Sequence, residues 1–140
     1  MSWDSYLDNL IGQSKDESGT AQADRACIIG LDGGGKWTTD AHAGALKLDQ
    51  PEGTSIANCF KNSDFSQFMT NGVVVDGLKY QFLREADGKI VYAKLKANGA
   101  LTLQASKTAI VIAHTIEGGQ HGITNKAVNI IADYLESMGM

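Results

Sequence analysis

Cysteine, proline and positive charge are all scarce in this chain of 140 residues. Its two cysteines, Cys27 and Cys59, lie far apart, with no C-x-x-C spacing and no histidine cluster beside them. That argues against a disulfide framework or a thiolate metal site, and two reduced, buried thiols are expected. Twelve Lys and Arg against sixteen Asp and Glu leave a formal net charge of −4. A general nucleic-acid binder would show the opposite balance. No apolar run approaches the ~18 residues of a membrane span. The first residues lack the basic region and apolar core of a signal peptide, because Asp4 and Asp8 interrupt them. A soluble, cytoplasmic protein without a transmembrane segment is expected. His42, His114 and His121 show no ligand spacing, and neither G-x-S-x-G nor a Cys/His pair is present. The chain therefore offers no positive sign of catalysis, of a metal or of a cofactor. Hydrophobic residues at 43% and charged residues at 20% are ordinary for a globular protein and argue against disorder. The length suits one domain, residues 1–140, large enough to bury a core.

The opening stretch is the most patterned. Trp3, Tyr6, Leu7, Leu10 and Ile11 fall at the spacing of one helix face. Ser2 suits the N-cap, Asp4 the positive end of the helix dipole, and Gly12 a left-handed stop. Gln13 to Asp24 reads as a long solvated loop. Arg25 to Leu31 is a short strand-like run, and Asp32-Gly33-Gly34-Gly35 a turn, with Lys36 to Thr39 returning as a hairpin. Pro51 suits a first helical position, and Ile56, Cys59 and Phe60 give that helix an apolar side. Asn62 to Met69 predicts another helical turn with Phe65 and Phe68 inward.

From Val73 the pattern turns to β. Runs around Lys79–Arg84, Lys89–Leu95, Ala100–Ala105 and Thr108–His114 are separated by turns that include Asp87-Gly88 and Asn98-Gly99, the signature of an antiparallel meander. A last helix begins near Thr124 as cap and ends at Gly139, with Ala127, Ile130, Ile131, Tyr134, Leu135 and Met138 in one stripe. The order predicts an α+β protein: a central antiparallel sheet of about six to seven strands, covered by helices.

Gly30 to Lys36 matches the first seven positions of the phosphate loop G-x-x-x-x-G-K-S/T. The eighth is Trp37, where a hydroxyl should hold Mg²⁺, and the loop leads into a strand instead of opening a helix. A glycine-rich hairpin turn is the expected structure. The rival it leaves is a small nucleotide-handling enzyme using this loop. The aromatics are more informative. Trp3, Tyr6, Trp37 and Tyr134 lie near elements that converge if the terminal helices pack side by side. They are then either core residues or the wall of a groove for a polyproline-II peptide, whose rings stack on aromatic faces. Lys79, Arg84, Lys89, Lys94, Lys96, Lys107 and Lys126 concentrate in the second half. They form either a solvated sheet face or a positive surface for an acidic protein or an anionic headgroup.

Four blocks, in order, resemble the profilin family over essentially the whole chain. They are the opening Ser2 to Leu10, with the W-x-x-Y start followed by an aliphatic residue and Asp; Cys27-Ile28-Ile29-Gly30 followed by Trp37; Phe68 through Arg84; and Gly118 through Lys126. The details are closest to animal profilins of echinoderm type. The resemblance implies a non-enzymatic actin-monomer binder that regulates actin polymerisation and associates with the cytoskeleton. It implies terminal helices packed together on one face of the sheet, with short helices on the other. It assigns Trp3, Tyr6, Trp37 and Tyr134 to a groove for proline-rich assembly proteins. To actin it assigns Lys79, Phe82, Arg84, Lys94, Lys96, Gln120, Gly122, Asn125 and Lys126. To phosphatidylinositol bisphosphate headgroups it assigns Arg84, Lys94 and Lys96. This chain departs from the vertebrate pattern at Tyr134 and Gln120, where His is usual, and at Met69 and Met140, where Tyr is usual.

Overall fold

The computed structural model describes residues 3–39 and 44–140; the Ser2 cap and His42 lie outside them. The elements run α1 (Asp4–Gln13), β1 (Ala23–Gly30), α2 (Gln50–Lys61), α3 (Ser66–Asn71), β2 (Val73–Val75), β3 (Leu78–Ala86), β4 (Ile90–Leu95), β5 (Gly99–Ala105), β6 (Ala109–Thr115) and α4 (His121–Ser137). The six strands form one sheet in the order β1-β6-β5-β4-β3-β2. All neighbours are antiparallel, so β2 to β6 form a meander and β1 closes the far edge beside β6.

Strand alternation divides the interior in two. Cys27 and Ile29 of β1 and Ile110 and Ile112 of β6 face a core shared with Ile56, Phe60, Phe65 and Phe68 of the α2–α3 region. Ala26, Ile28, Val111 and Ala113 face the other way, onto Leu7 and Leu10 of α1 and Ala127, Val128, Ile131 and Leu135 of α4. Every residue of β5 and β6 is buried, so these strands sit between two helical layers, whereas β3 is mostly exposed. The terminal helices thus share one face and the short helices the other, as expected. Cys27 and Cys59 form no disulfide, and both are buried.

Local chemistry sets the ends. Asp49 Oδ1 accepts from Glu52 N at 2.8 Å and Glu52 Oε1 from Asp49 N at 3.0 Å, a reciprocal cap for α2, whose second residue is Pro51. The same buried carboxylate accepts from Asp76 N (3.1 Å) and Gly77 N (2.8 Å), which ties α2 to the β2–β3 turn. Consecutive positive φ at Asp76-Gly77 and Asp87-Gly88 (54° and 76°, 55° and 70°) make two tight hairpins, the first of which the sequence reading passed over.

Three element boundaries and one loop differ from expectation. Helix α1 continues through Gly12 to Gln13, because Ser14 ends it instead: its Oγ donates to Ile11 O (2.7 Å) and accepts from Ala23 N (3.0 Å). The loop after α1 is therefore tethered, with Ser14 and Gln22 buried. Lys36 to Thr39 runs beside β1 through a bridge from Lys36 to Ile29, bonds from Trp37 N (2.8 Å) and Thr38 N (3.4 Å) to Ile28 O, and one from Ile28 N to Thr38 Oγ1 (3.2 Å), without forming a strand. Helix α4 starts at His121 with Gln120 as its cap residue, and Thr124 lies inside the first turns, fully buried.

Candidate functional site

Two surfaces stand out. The first is aromatic. Trp3 immediately precedes α1 and Tyr6 lies one turn on, while Trp37 follows the glycine turn. Thr39 donates from N (2.8 Å) and Oγ1 (2.5 Å) to the Asp4 carboxylate, latching the segment after Trp37 onto the first turn of α1. Gly30 makes room for the indole, since a Cβ there would lie 3.1 Å from Trp37 Nε1. Tyr134 projects from α4. The four rings run in a continuous string: Trp37 to Trp3 at 4.8 Å, Trp3 to Tyr6 at 5.2 Å, and Tyr6 to Tyr134 at 6.1 Å between centroids.

These rings border the second core without being enclosed by it. Trp3, Tyr6 and Trp37 are partly exposed and Tyr134 is 49% exposed. The apolar stripe of α4 is correspondingly split: Ala127, Ile131 and Leu135 are buried, while Ile130, Tyr134 and Met138 face solvent. Ser5, Tyr6, Asn9, Gln13, Ile130, Ile131 and Tyr134 line a groove of about 270 Å³ between α1 and α4. Burial, and then the neighbouring Tyr134 phenol, push the Tyr6 hydroxyl above its ordinary range, so it stays a protonated donor. Rigid π faces with O–H and N–H donors suit an extended apolar ligand with unpaired carbonyls. Met140 packs beside this core, and its carbonyl accepts from Ser106 Oγ and Thr108 Oγ1, each at 2.8 Å.

The second surface is cationic and less uniform. Lys79, Phe82, Lys94 and Lys96 line one hollow of about 460 Å³ together with Phe68 and Met69, the latter 64% exposed. Arg84 is not in that hollow. A register shift between Phe82 and Arg84 carries it opposite Tyr92, and its guanidinium stacks 4.8 Å from the Tyr92 ring. Gln120 and Gly122 open α4, and Gln120 N donates to Gln22 Oε1 at 2.8 Å. Asn125 and Lys126 follow within two turns, Asn125 hydrogen-bonded to Thr102 and Lys126 exposed. Lys79, Arg84, Lys94, Lys96 and Lys126 form no ion pair with another described residue. Lys89 does, with Glu136 at 3.9 Å, and Lys107 lies in a separate hollow with Asp32 and Lys61, so these two leave the group.

Sequence reasoning missed three residues here. Tyr92 packs its ring edge-on against His121 (5.8 Å), and His121 Nε2 lies 3.0 Å from both Leu101 O and Thr102 Oγ1. Burial, above all, holds the His121 imidazole below its usual range. No motif marks Thr102; it enters only through the register of β5 under α4.

Three amides of the glycine loop are already taken: Gly30 N donates to Gly35 O (2.8 Å), Gly34 N to Gly30 O (3.1 Å) and Leu31 N to Thr108 O (2.9 Å). Gly34 (φ 75°) abuts the α2 backbone, where a Cβ would lie 2.2 Å from Gly53 O, and no helix opens after it. A loop so closed does not present an anion cradle.

Comparison with known proteins agrees with this geometry. The profilin family profile matches residues 1–140. The chain is 69% identical to the profilin of the echinoderm Clypeaster japonicus over 140 residues, covering all of both chains. Among solved structures, profilin II of Acanthamoeba castellanii superposes with a TM-score of 0.80 at 31% identity, over 99% of this chain and 100% of that one. Mouse profilin IIa, in complex with a double repeat from the FH1 domain of mDia1, shares the fold with a TM-score of 0.73 at 23% identity, over 100% of each chain. The chain therefore belongs to the profilin family of non-enzymatic actin-binding proteins.

Proposed function

We propose that this profilin works as a single domain, residues 1–140, that joins a monomeric actin to a proline-rich protein in the cytoplasm. The observation that carries this reading is the unbroken string of four part-exposed rings, Trp37, Trp3, Tyr6 and Tyr134. A purely structural aromatic cluster would be enclosed by the core, whereas these four rings are part-exposed and two of them, Tyr6 and Tyr134, line a groove. Extended proline-rich segments of assembly proteins stack on the rings, and their carbonyls accept from the phenols.

Actin takes the cationic surface: Lys79, Phe82, Arg84, Lys94, Lys96, Gln120, Gly122, Asn125 and Lys126. The unpaired ammonium groups steer an acidic partner, and Phe82 with Met69 supplies the apolar contact. A monomer held this way is kept from nucleating and is delivered to filament ends by the proline-rich partner, so the protein regulates actin polymerisation. Lys94 and Lys96, with Arg84 beside them on the strand pair, also offer charge to phosphatidylinositol bisphosphate headgroups, in competition with actin.

The test is retention of the intact protein on a poly-L-proline column. Retention with release only by denaturant or a competing proline peptide is expected. Passage straight through the column overturns the groove.

A further inference from the structure

We propose that Thr102, a residue with no exposed surface, is a positioning residue for the actin-facing edge, fixing with His121 the orientation of the Asn125 side-chain amide. The proposal rests on the reading of that edge as the actin site. Hydrogen-bonding capacity dictates the chain of donors. Leu101 O can only accept, and it lies 3.0 Å from His121 Nε2, so Nε2 carries the proton. Thr102 Oγ1, at 3.0 Å from the same nitrogen, then accepts from that N–H. Its own O–H is left to donate, and it meets Asn125 Oδ1. The amide is thereby committed: Oδ1 faces the sheet, and Nδ2, with no partner among the described residues, is held as a donor.

Three features keep the relay in place. Thr102 is on β5 with no exposed surface, so its hydroxyl has no water to turn to. The Tyr92 ring holds His121 edge-on at 5.8 Å. Burial favours the neutral imidazole, whose other nitrogen, Nδ1, is then an acceptor. The edge thus offers a donor at Asn125, an acceptor at His121 and a cation at Lys126, in a fixed order on the first turns of α4. The partner chemistry this suits is a backbone carbonyl or carboxylate facing Asn125. An unpinned amide would present either end equally and would have to be ordered on binding. Fixing it also disfavours a partner that offers a donor there.

Actin-monomer affinity of Thr102→Val and Thr102→Ser, alone and in an Asn125→Ala background, tests the relay. Thr102→Val keeps the shape and removes the hydroxyl, and it should weaken binding about 5-fold, the worth of one hydrogen bond. Thr102→Ser should stay within about 2-fold of the parent. In the Asn125→Ala background Thr102→Val should cost nothing more. In NMR spectra the Asn125 side-chain amide signals should move in the valine variant and not in the serine variant. Equal affinity of the valine and serine variants, or an undiminished loss in the alanine background, overturns the relay. Should the valine variant fail to fold, Thr102→Ala removes the same hydroxyl and must reproduce the loss. Lys126→Glu separates the two levels. If it weakens actin while Thr102→Val does not, the relay is wrong and the actin face stands. If Lys126→Glu leaves actin binding intact, the face itself is misassigned and the relay falls with it.

Discussion

The aromatic and cationic surfaces share α4 and little else. Asn125 and Tyr134 sit nine positions apart on that helix, roughly 14 Å along its axis at 1.5 Å per residue. One surface is a row of adjoining rings on and beside the terminal helices, packed on a core and latched by one carboxylate, Asp4. The other gathers side chains from β3, β4, β5 and the start of α4, and its order depends on a strand register, a bulge and a buried hydroxyl. Contact with π faces needs rigidity and exposure. Recognition by charge and hydrogen bonds needs each group aimed, so its support reaches deeper into the protein.

The sharpest way to separate the surfaces is Trp3→Ala. It removes the ring that bridges Trp37 and Tyr6, leaving two isolated aromatics in place of a ridge. Central aromatic anchors cost about 2 kcal/mol or more on truncation. Poly-L-proline retention should therefore drop by more than about 10-fold in affinity, while actin-monomer binding stays within about 2-fold, as two titrations of one preparation will measure. Loss of both together, with a lowered melting temperature, would mean that Trp3 serves the core.

Lys126→Glu is the converse, with a smaller expected loss, about 1 to 2 kcal/mol of actin affinity. Proline retention should be unchanged. Ionic strength gives the same contrast without mutation. Between about 50 and 200 mM salt, actin binding should weaken, because exposed charges are screened over a Debye length near 10 Å, and proline binding should hold. A salt response shared by both would show that the cations act on the whole molecule instead of one face.

This contrast also explains what was legible in the sequence. Trp3, Tyr6 and Leu10 announce themselves by helical spacing, and Asp87-Gly88 by its turn chemistry, because both signals are local. The meander and the terminal helices follow from such signals, and the ring string follows once those helices pack together. The stripe on α4 looked uniform; its division into buried Ile131 and exposed Ile130 depends on the neighbours α1 and β6, which spacing does not encode. Lys79 and Arg84, of opposite parity, would face opposite sides of a regular strand; the bulge at Phe82/Arg84 brings Arg84 to the face of Tyr92 and Lys94. Thr102 was invisible because its partners, His121 and Asn125, come from across the α4–β5 interface. One local signal went unused: Asp49 and Glu52 have the D-x-x-E spacing of the reciprocal cap that the structure contains.

The smallest expected effect is in pH, and it too should fall on one side only. On the aromatic surface the Tyr6 phenol is pushed above its ordinary value and stays protonated. Proline retention should therefore be flat from pH 8 to 5. On the cationic surface His121 is the group that changes. It faces Leu101 O and Thr102 Oγ1, the edge of Tyr92, and the charge of Lys94. Burial first, and Lys94 as well, lower its folded-state pKa below the unfolded value near 6.5. The unfolded chain therefore takes up the proton first as pH falls. Stability declines from about 6.5 down to the lower folded value, and below that this group has no further effect. Protonation also turns Nδ1 from an acceptor into a donor, so actin affinity should fall over the lower part of that window, by about 2- to 3-fold. His121→Gln retains an N–H donor for Thr102 and does not titrate, so its actin-binding profile should be flat where the parent slopes. A slope that persists in this variant would assign the pH response to actin itself, and the two surfaces would then be indistinguishable in acid.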